Sequence, residues 1–275
     1  MTDLTAASTL SVQRVRHPLK SRLVQVKRVE HVQPGFVRVT FGGDELEGFL
    51  SASFDDHMKM FFPADPDAKP TKPEAGEKGM VFPEGVERPV ARDYTPLHFD
   101  AEKLELEVDF VLHEAGPATR WAAQAKPGQY LLIGGPRGSF VIPEAFDWHV
   151  LLGDETALPA IRRRLRELPA GKRAMVIIET QHTSGHVTLE TQADVHVQWV
   201  RPAVDTADGV SALERAVRRL LLPEGDGFIW AAGEYNVVRR IRQYLVEEKH
   251  INKSRIRASS YWRQGEQGVH KNFED

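Results

Sequence analysis

The sequence predicts a two-domain β + α/β protein: an N-terminal antiparallel six-stranded β-barrel over residues 1–146, then a doubly wound parallel α/β domain over residues 147–275. Two observations predict it. In the first half, apolar and polar residues alternate in short runs, with a single helical pattern and no βαβ rhythm. In the second half, strand and helix patterns take turns at the spacing of a parallel sheet. The register changes near Asp147.

Residues 1–18 read as a loose lead-in, polar and then basic at Arg14, Arg16 and His17. Alternation begins at Leu23, Val24, Val26 and Val29 and resumes over 36–41, with Pro34-Gly35 as the turn between two strands. A third strand, 55–63, sets His57, Lys59 and Phe61 on one face and Met58, Met60 and Phe62 on the other. A lysine there needs water, a counter-charge or an anionic ligand. Residues 63–91 carry Pro63, Pro66, Pro70, Pro73, Pro83 and Pro89 and read as a long irregular insertion. A strand over 104–112, a helix from Ala118 to Lys126, the turn Pro127-Gly128 and a strand over 130–133 complete the first half.

In the second half the strands fall at 148–152, 173–179, 195–200, 228–232 and 256–261. Helical patterns run over 157–168, with Leu158, Ile161 and Leu165 on the inner stripe, and over 210–222 and 237–248. His182 and His186 are four apart, but Thr183-Ser184-Gly185 between them is not helical, so no metal site is expected there.

Composition narrows the chemistry. The chain has 275 residues, 41% hydrophobic and 27% charged, as in a globular protein with real cores. A net charge of -3 provides no global attraction to nucleic acid or an anionic membrane, so any anion binding is local. The absence of cysteine excludes disulfides, zinc–thiolate sites, all-cysteine iron–sulfur clusters and thiol redox chemistry. Electrons, if moved, travel on a bound cofactor. Residues 1–10 lack a signal-peptide pattern and no apolar run approaches ~18 residues, so a cytoplasmic protein free of the membrane is expected; a monomer is the expected state, although the sequence does not fix it.

The chemically dense stretch is Arg92-Asp93-Tyr94-Thr95. On a strand, Arg92 and Tyr94 point together, a guanidinium beside an aromatic plane, which suits a ligand with a phosphate and a flat ring. Gly116-Pro117-Ala118-Thr119 opens the helix and offers free backbone N–H groups to an anion. Together they look like two halves of a flavin dinucleotide site. In the second domain the turns Gly153-Asp154-Glu155-Thr156 and Ala231-Ala232-Gly233-Glu234 stand at the carboxyl edge of the sheet, where a nucleotide docks. Neither is GxGxxG, and both carry acids. Glu179, at the next strand end, suits a ribose 2′-hydroxyl and tilts the choice towards NADH over NADPH. Lys59, Arg137 between the glycines of Gly134-Gly135-Pro136-Arg137-Gly138-Ser139, Arg263 and Lys271 are the basic residues that can face a substrate.

From about Val15 to the C-terminus the chain resembles the siderophore-interacting proteins, flavin-dependent ferric-siderophore reductases of the ferredoxin–NADP reductase superfamily. The resemblance runs in order through Phe54-Asp55-Asp56-His57, Arg92 to Pro96, His113 to Ala122, Gly134 to Ser139, Gly153 to Ala160 and Tyr261 to Glu266. It implies an FAD domain followed by an NAD(P)H-binding-like domain. Arg92, Tyr94 and Thr95 would hold FAD, with Tyr94 packed on the isoalloxazine; His113 and Ala115, Gly116, Pro117, Ala118 and Thr119 would line its pyrophosphate and adenylate side, and Asp109 is counted with them. Asp154, Glu155, Thr156 and Glu179 would fall on the nicotinamide nucleotide side. Lys59, Arg137 and Arg263 would meet an anionic ferric siderophore. Catalysis is flavin-borne, with no triad and no resident metal expected. NADH, NADPH and reduced ferredoxin all remain open as the donor, as does the role of the tail over 264–275. Two alternatives stand beside this one: a flavin or ferredoxin-type reductase with another acceptor, and a non-catalytic ferri-siderophore binding protein.

Overall fold

The computed structural model describes residues 10–76, 79–112, 116–181, 189–202, 209–266 and 271–273. His113, Ala115, His182 and His186 lie outside them. Two compact units form, Val12–Val141 and a second that runs from Ile142 onwards.

The first unit contains β1 (Gln13–Arg16), β2 (Ser21–Gln33), β3 (Phe36–Gly42), β4 (Met58–Phe62), β5 (Glu74–Gly76), β6 (Gly79–Val81), β7 (Val90–Tyr94), β8 (His98–Asp100), β9 (Glu105–Val111), α1 (Pro117–Ala123), β10 (Tyr130–Gly134) and β11 (Gly138–Val141). Seven of the strands make one antiparallel sheet in the order β7-β4-β10-β2-β3-β9-β8. Five of these are the strands that alternation marks and a sixth, β7, carries the Arg92-Asp93-Tyr94 stretch; the seventh, β8, is only three residues long. Alternate residues fill the core: Val24 and Val26, Val37, Val39 and Phe41, Met58, Met60 and Phe62, and Leu106, Val108 and Phe110 are all buried. Trp121 and Ala122 of α1 pack against them.

Three features differ from expectation. The lead-in is not loose throughout, because β1 pairs antiparallel with β11. Its residues are all exposed, so no apolar alternation signals the strand. Helix α1 stops at Ala123, short of Lys126. Pro127 disfavours helical geometry at the residue before it, and the Lys126 amide donates instead to Gln129 Oε1 at 2.9 Å. The insertion over 63–91 contains the hairpin β5–β6 and packs on the seven-stranded sheet, whose order leaves β7 and β8 as its two ends where the sequence predicts a six-stranded barrel. Phe82 meets Phe61 at 5.7 Å, Lys72 pairs with Glu45 at 2.7 Å, and Gln129 Nε2 donates to Asp67 at 2.8 Å. Phe61 lies on the Lys59 side of β4 and is nonetheless buried.

The second unit contains β12 (Trp148–Asp154), α2 (Leu158–Glu167), β13 (Arg173–Glu179), β14 (Asp194–Val200), α3 (Ala212–Arg219), β15 (Gly227–Glu234), α4 (Tyr235–Gln243), β16 (Ile256–Trp262) and β17 (Lys271–Asn272). The sheet order is β14-β13-β12-β15-β16-β17, parallel through β16, with β17 antiparallel on β16. The chain order therefore reverses direction between β12 and β15, the switch point beside which doubly wound sheets hold ligands. Val150, Leu152, Ile177, Ile229 and Ala231 form one core with Leu213 and Val217 of α3 and Val238 and Ile241 of α4. By alternation, His149 and Leu151 face the other way, the side of α2, where Leu158, Ile161 and Leu165 are buried.

Candidate functional site

In the first unit the site is organised by β4, which lies between β7 and β10. Its register sets Met58 opposite Tyr94, Lys59 opposite Asp93 and Met60 opposite Arg92. Residues directly opposite share a face, so Arg92 and Tyr94 stand together while Lys59 and Asp93 occupy the other side. The Tyr94 ring lies 4.5 Å from Phe110 and 6.0 Å from Phe62, and is largely buried on that aromatic backing. Burial pushes the Tyr94 phenol up, with Arg92 opposing, so it stays protonated as a donor. Arg92 Nη1 donates to its neighbour's carbonyl at Ala91, 2.8 Å away, and Thr95 is buried.

At α1, Gly116 precedes Pro117, and a Cβ on Gly116 would meet nothing within 4 Å. No acid lies in the first turn. The Trp121 indole N–H is buried and has no hydrogen-bond partner among the described residues. An aromatic plane backed by an aromatic cluster, a guanidinium on the same face, and an open glycine at a helix start without an acid in its first turn are a donor set that fits a flavin dinucleotide. Asp109 is engaged elsewhere: it is buried opposite Arg38 and takes a bidentate pair from its Nε and Nη2 at 2.7 and 3.0 Å.

Lys59 Nζ rests on both oxygens of Asp93, at 2.9 and 3.1 Å. The counter-charge that the sequence demands for this lysine is thus its cross-strand neighbour. On its other flank Lys59 stands opposite Gly134, the first residue of the turn that carries Arg137. Arg137 is exposed, and its carbonyl accepts the His17 amide at 2.9 Å. Asp93 is the functional neighbour that sequence reasoning missed, because register is not written in the sequence.

In the second unit the acids of the carboxyl edge are turned inward. Asp154 accepts from Thr156 N (2.9 Å) and the Thr156 hydroxyl with one oxygen, and from Glu234 N (3.0 Å) and Trp262 Nε1 (2.8 Å) with the other. Burial pushes its carboxyl up against these four donors. Packing is tight here: a Cβ on Gly153 would stand 2.4 Å from Ala157 Cβ and 2.6 Å from the Ala232 carbonyl oxygen. Glu155 accepts the Thr180 hydroxyl and the Gln181 amide. Glu234 caps α4 through the amides of Asn236 and Val237 at 2.7 and 3.0 Å. Glu179 accepts the Leu213 amide in the first turn of α3 at 2.9 Å, beside the capping box of Ser211 and Glu214. Burial raises the Glu179 carboxyl. Asp154, Glu179 and Glu234 thus satisfy backbone N–H groups at the protein's own helix starts, which leaves those starts filled.

Arg263 pairs with Glu266 at 2.7 Å and lies 4.8 Å from the centre of the Tyr235 ring. Lys271 and Phe273 approach the same ring, at 5.9 and 5.1 Å. Among the described residues no group of three His, Asp or Glu side chains is placed to hold a metal ion, and no helix is long and apolar enough to cross a membrane.

A family model described as "Siderophore-interacting FAD-binding domain" matches residues 25–140, and one described as "Siderophore-interacting protein" matches residues 146–265. The chain is 38% identical to the NADPH-dependent ferric-chelate reductase of Escherichia coli over 91% of its own length and 96% of that protein's. It is 31% identical to a ferric vibriobactin reductase of Vibrio cholerae, covering 89% of this chain and 90% of the relative. A solved siderophore utilization protein from T. fusca superposes with a TM-score of 0.83 at 34% identity, over 94% of this chain and 98% of the other. A ferredoxin reductase of carbazole 1,9a-dioxygenase shares the fold at 18% identity, with a TM-score of 0.61 over 87% of this chain and 69% of the other. Together with the paired strand and helix features of the first unit, these matches show that the chain belongs to the siderophore-interacting protein family.

Proposed function

We propose that this protein is an FAD-dependent oxidoreductase that reduces the ferric ion of a siderophore, so that iron leaves its tight oxygen cage as Fe(II). The observation that carries this function is strand β4, which joins the Arg92–Tyr94 face to Lys59 and the Arg137 turn. The identity to a ferric-chelate reductase along nearly the whole chain supports it. When bound, the flavin supplies conversion of a two-electron donation into the single-electron steps that Fe(III) takes up.

The chain's own residues bind and orient. Tyr94 offers a plane to the flavin ring, Arg92 a positive charge to its phosphates, and the backbone of Gly116, Pro117, Ala118 and Thr119 the start of a helix. Thr95 closes the buried side. Toward an anionic chelate, Arg137 is the principal charge, because Lys59 is already neutralised by Asp93 and Arg263 by Glu266. The first unit carries the flavin and the second receives the donor. A nicotinamide nucleotide serves as donor, as the name of the Escherichia coli relative states for that protein, with reduced ferredoxin as the competing donor. One oxygen of Glu179 accepts the Leu213 amide at the start of α3, which leaves the other for a ribose hydroxyl and keeps NADH and NADPH both in play. The protein acts as a cytoplasmic monomer.

The test is an anaerobic absorbance series. A yellow protein is expected, bleached by NADH, NADPH or reduced ferredoxin and reoxidised by a ferric chelate with Fe(II) trapped by ferrozine. A colourless protein that FAD cannot reconstitute sinks the proposal, and chelate binding without donor-dependent Fe(II) identifies a carrier instead.

A further inference from the structure

Ser139 Oγ is the centre of a hydrogen-bonded group that ties three stretches of the first unit. It lies 2.7 Å from Asp56 Oδ2 and 2.7 Å from His17 Nε2, and it accepts the Ala52 amide at 3.1 Å. A serine hydroxyl has one proton and two lone pairs, and a carboxylate only accepts. The proton therefore goes to Asp56, and the lone pairs take Ala52 N–H and His17 Nε2–H. This fixes the proton of His17 on Nε2. Asp56 also accepts the Ser51 hydroxyl at 2.8 Å and the Ser53 amide at 3.1 Å, and both Asp56 and Ser139 are buried.

Histidine, serine and aspartate in contact invite a nucleophile assignment, but the order of the bonds excludes it. The imidazole donates to the serine instead of taking its proton, and the carboxylate that receives the proton already accepts two other donors.

What the group does hold is the turn that presents Arg137. The His17 amide donates to the Arg137 carbonyl at 2.9 Å, and the His17 ring bonds Ser139 two residues further on. Gly138, between them, runs so close to β1 that a Cβ would stand 2.5 Å from the Val15 carbonyl oxygen. The backbone on both sides of Arg137 is pinned, whereas its exposed side chain has no partner among the described residues. Asp56 carries this restraint into the segment over 51–56, directly before β4 and Lys59. The geometry points to His17, Ser139 and Asp56 as positioning residues that set where Arg137 offers its guanidinium to an anionic ferric chelate, a role that rests on the chelate-binding function proposed above.

The experiment measures KM and kcat for the trianionic ferric tris(catecholate) and the neutral ferric tris(acetohydroxamate), with flavin content recorded for each variant. Arg137→Ala is expected to raise the anionic-to-neutral KM ratio about tenfold, as loss of a charge-assisted contact does. Ser139→Ala and His17→Ala are expected to raise it about fivefold, the size of a lost buried hydrogen bond, with kcat changed less than about twofold. His17→Gln keeps an N–H donor on a side chain of similar reach and restores the ratio. Ser139→Ala added to Arg137→Ala changes nothing further, because the first acts only through the second. If Arg137→Ala raises the ratio and Ser139→Ala and His17→Ala do not, or if the double variant is additive, the positioning role is overturned while the chelate function stands. If Arg137→Ala leaves the ratio unchanged, the function beneath it fails and takes this role with it. Should Ser139→Ala not fold, the two substitutions at half-buried His17 decide.

Discussion

Acid should unlock the second unit at one residue, His149. This side chain lies on the α2 face of β12 and is 1% exposed. Its Nε2 has no partner among the described residues, while the ring donates to the Glu144 carbonyl. The same segment is gripped by cations: Arg164 Nη2 donates to the carbonyls of Ile142 and Pro143 at 3.0 and 3.1 Å, and Lys172 Nζ to that of Ala145 at 3.0 Å. A charged imidazole would be desolvated and repelled by Arg164 and Lys172, with Glu167 near Arg164 the compensating acid. Burial and these neighbours lower the His149 pKa from 6.5 to about 3. A depressed histidine leaves stability intact above the unfolded pKa and removes it as pH falls below that value, since only the unfolded chain takes the proton. For this shift the loss between about pH 7 and pH 5 is about 2 kcal/mol. Asp154, Glu167 and Glu179 are raised and act in the opposite sense, so the wild type alone does not isolate the effect. The assay is urea unfolding followed by tryptophan fluorescence, with Trp148 and Trp230 buried in this unit, for wild type and His149→Gln. The variant should be less stable near neutral pH and lose about 2 kcal/mol less on acidification. A difference between the two proteins that stays constant to within about 0.5 kcal/mol across that range would refute the assignment.

Other outcomes follow from the same structure. Tyr94→Phe should keep its flavin, whereas Tyr94→Ala should raise the flavin Kd at least about tenfold in an absorbance titration, since the ring and not the hydroxyl supplies the platform. Asp93→Asn frees the Lys59 ammonium and should lower KM for an anionic chelate about twofold, while Lys59→Ala should raise it less than Arg137→Ala does; steady-state kinetics compare the three. Arg38→Ala leaves the Asp109 carboxylate buried without its bidentate partner and should cost about 3 kcal/mol, with much of the loss recovered in Arg38→Met/Asp109→Leu, both read by urea midpoint. Gly153→Ala forces a methyl to within 2.4 Å of Ala157 Cβ and should lower stability. Overpacking of that kind costs about 1–3 kcal/mol in the same assay.

Much of the architecture was legible because period-two and helical patterns are local. Alternation placed β2, β3, β4, β9 and β10, and the strand–helix rhythm placed β12 through β16. What escaped had no local signal: β1 offers one apolar residue inside an exposed basic run, and β8 lies just past Pro96 with Phe99 alone. The site divides in the same way. That Arg92 and Tyr94 share a face follows from pleat alone, whereas the pairing of Lys59 with Asp93 needs the register of two strands separated by the insertion. Asp154 reads as an acid at a nucleotide edge, but its partners Glu234 and Trp262 lie 80 and 108 residues away. Glu179 likewise reads as an acid at a strand end, and its bond to the Leu213 amide needs the fold that brings α3 beside it.

The two-residue strand β17 has a consequence out of proportion to its length. It covers the outer side of β16 through the Ser259–Asn272 and Ser260–Lys271 positions, fastened by Ser259 Oγ to Asn272 Oδ1 at 2.7 Å and by Phe273 N to the Ala258 carbonyl at 3.0 Å. An uncovered sheet edge is a template for a second chain. A protein cut before Lys271 would bare the N–H and C=O groups of β16 that β17 now pairs, and self-association visible by light scattering is the expected cost. The last described residues thus act as a guard on solubility, whatever they contribute to the choice of electron donor.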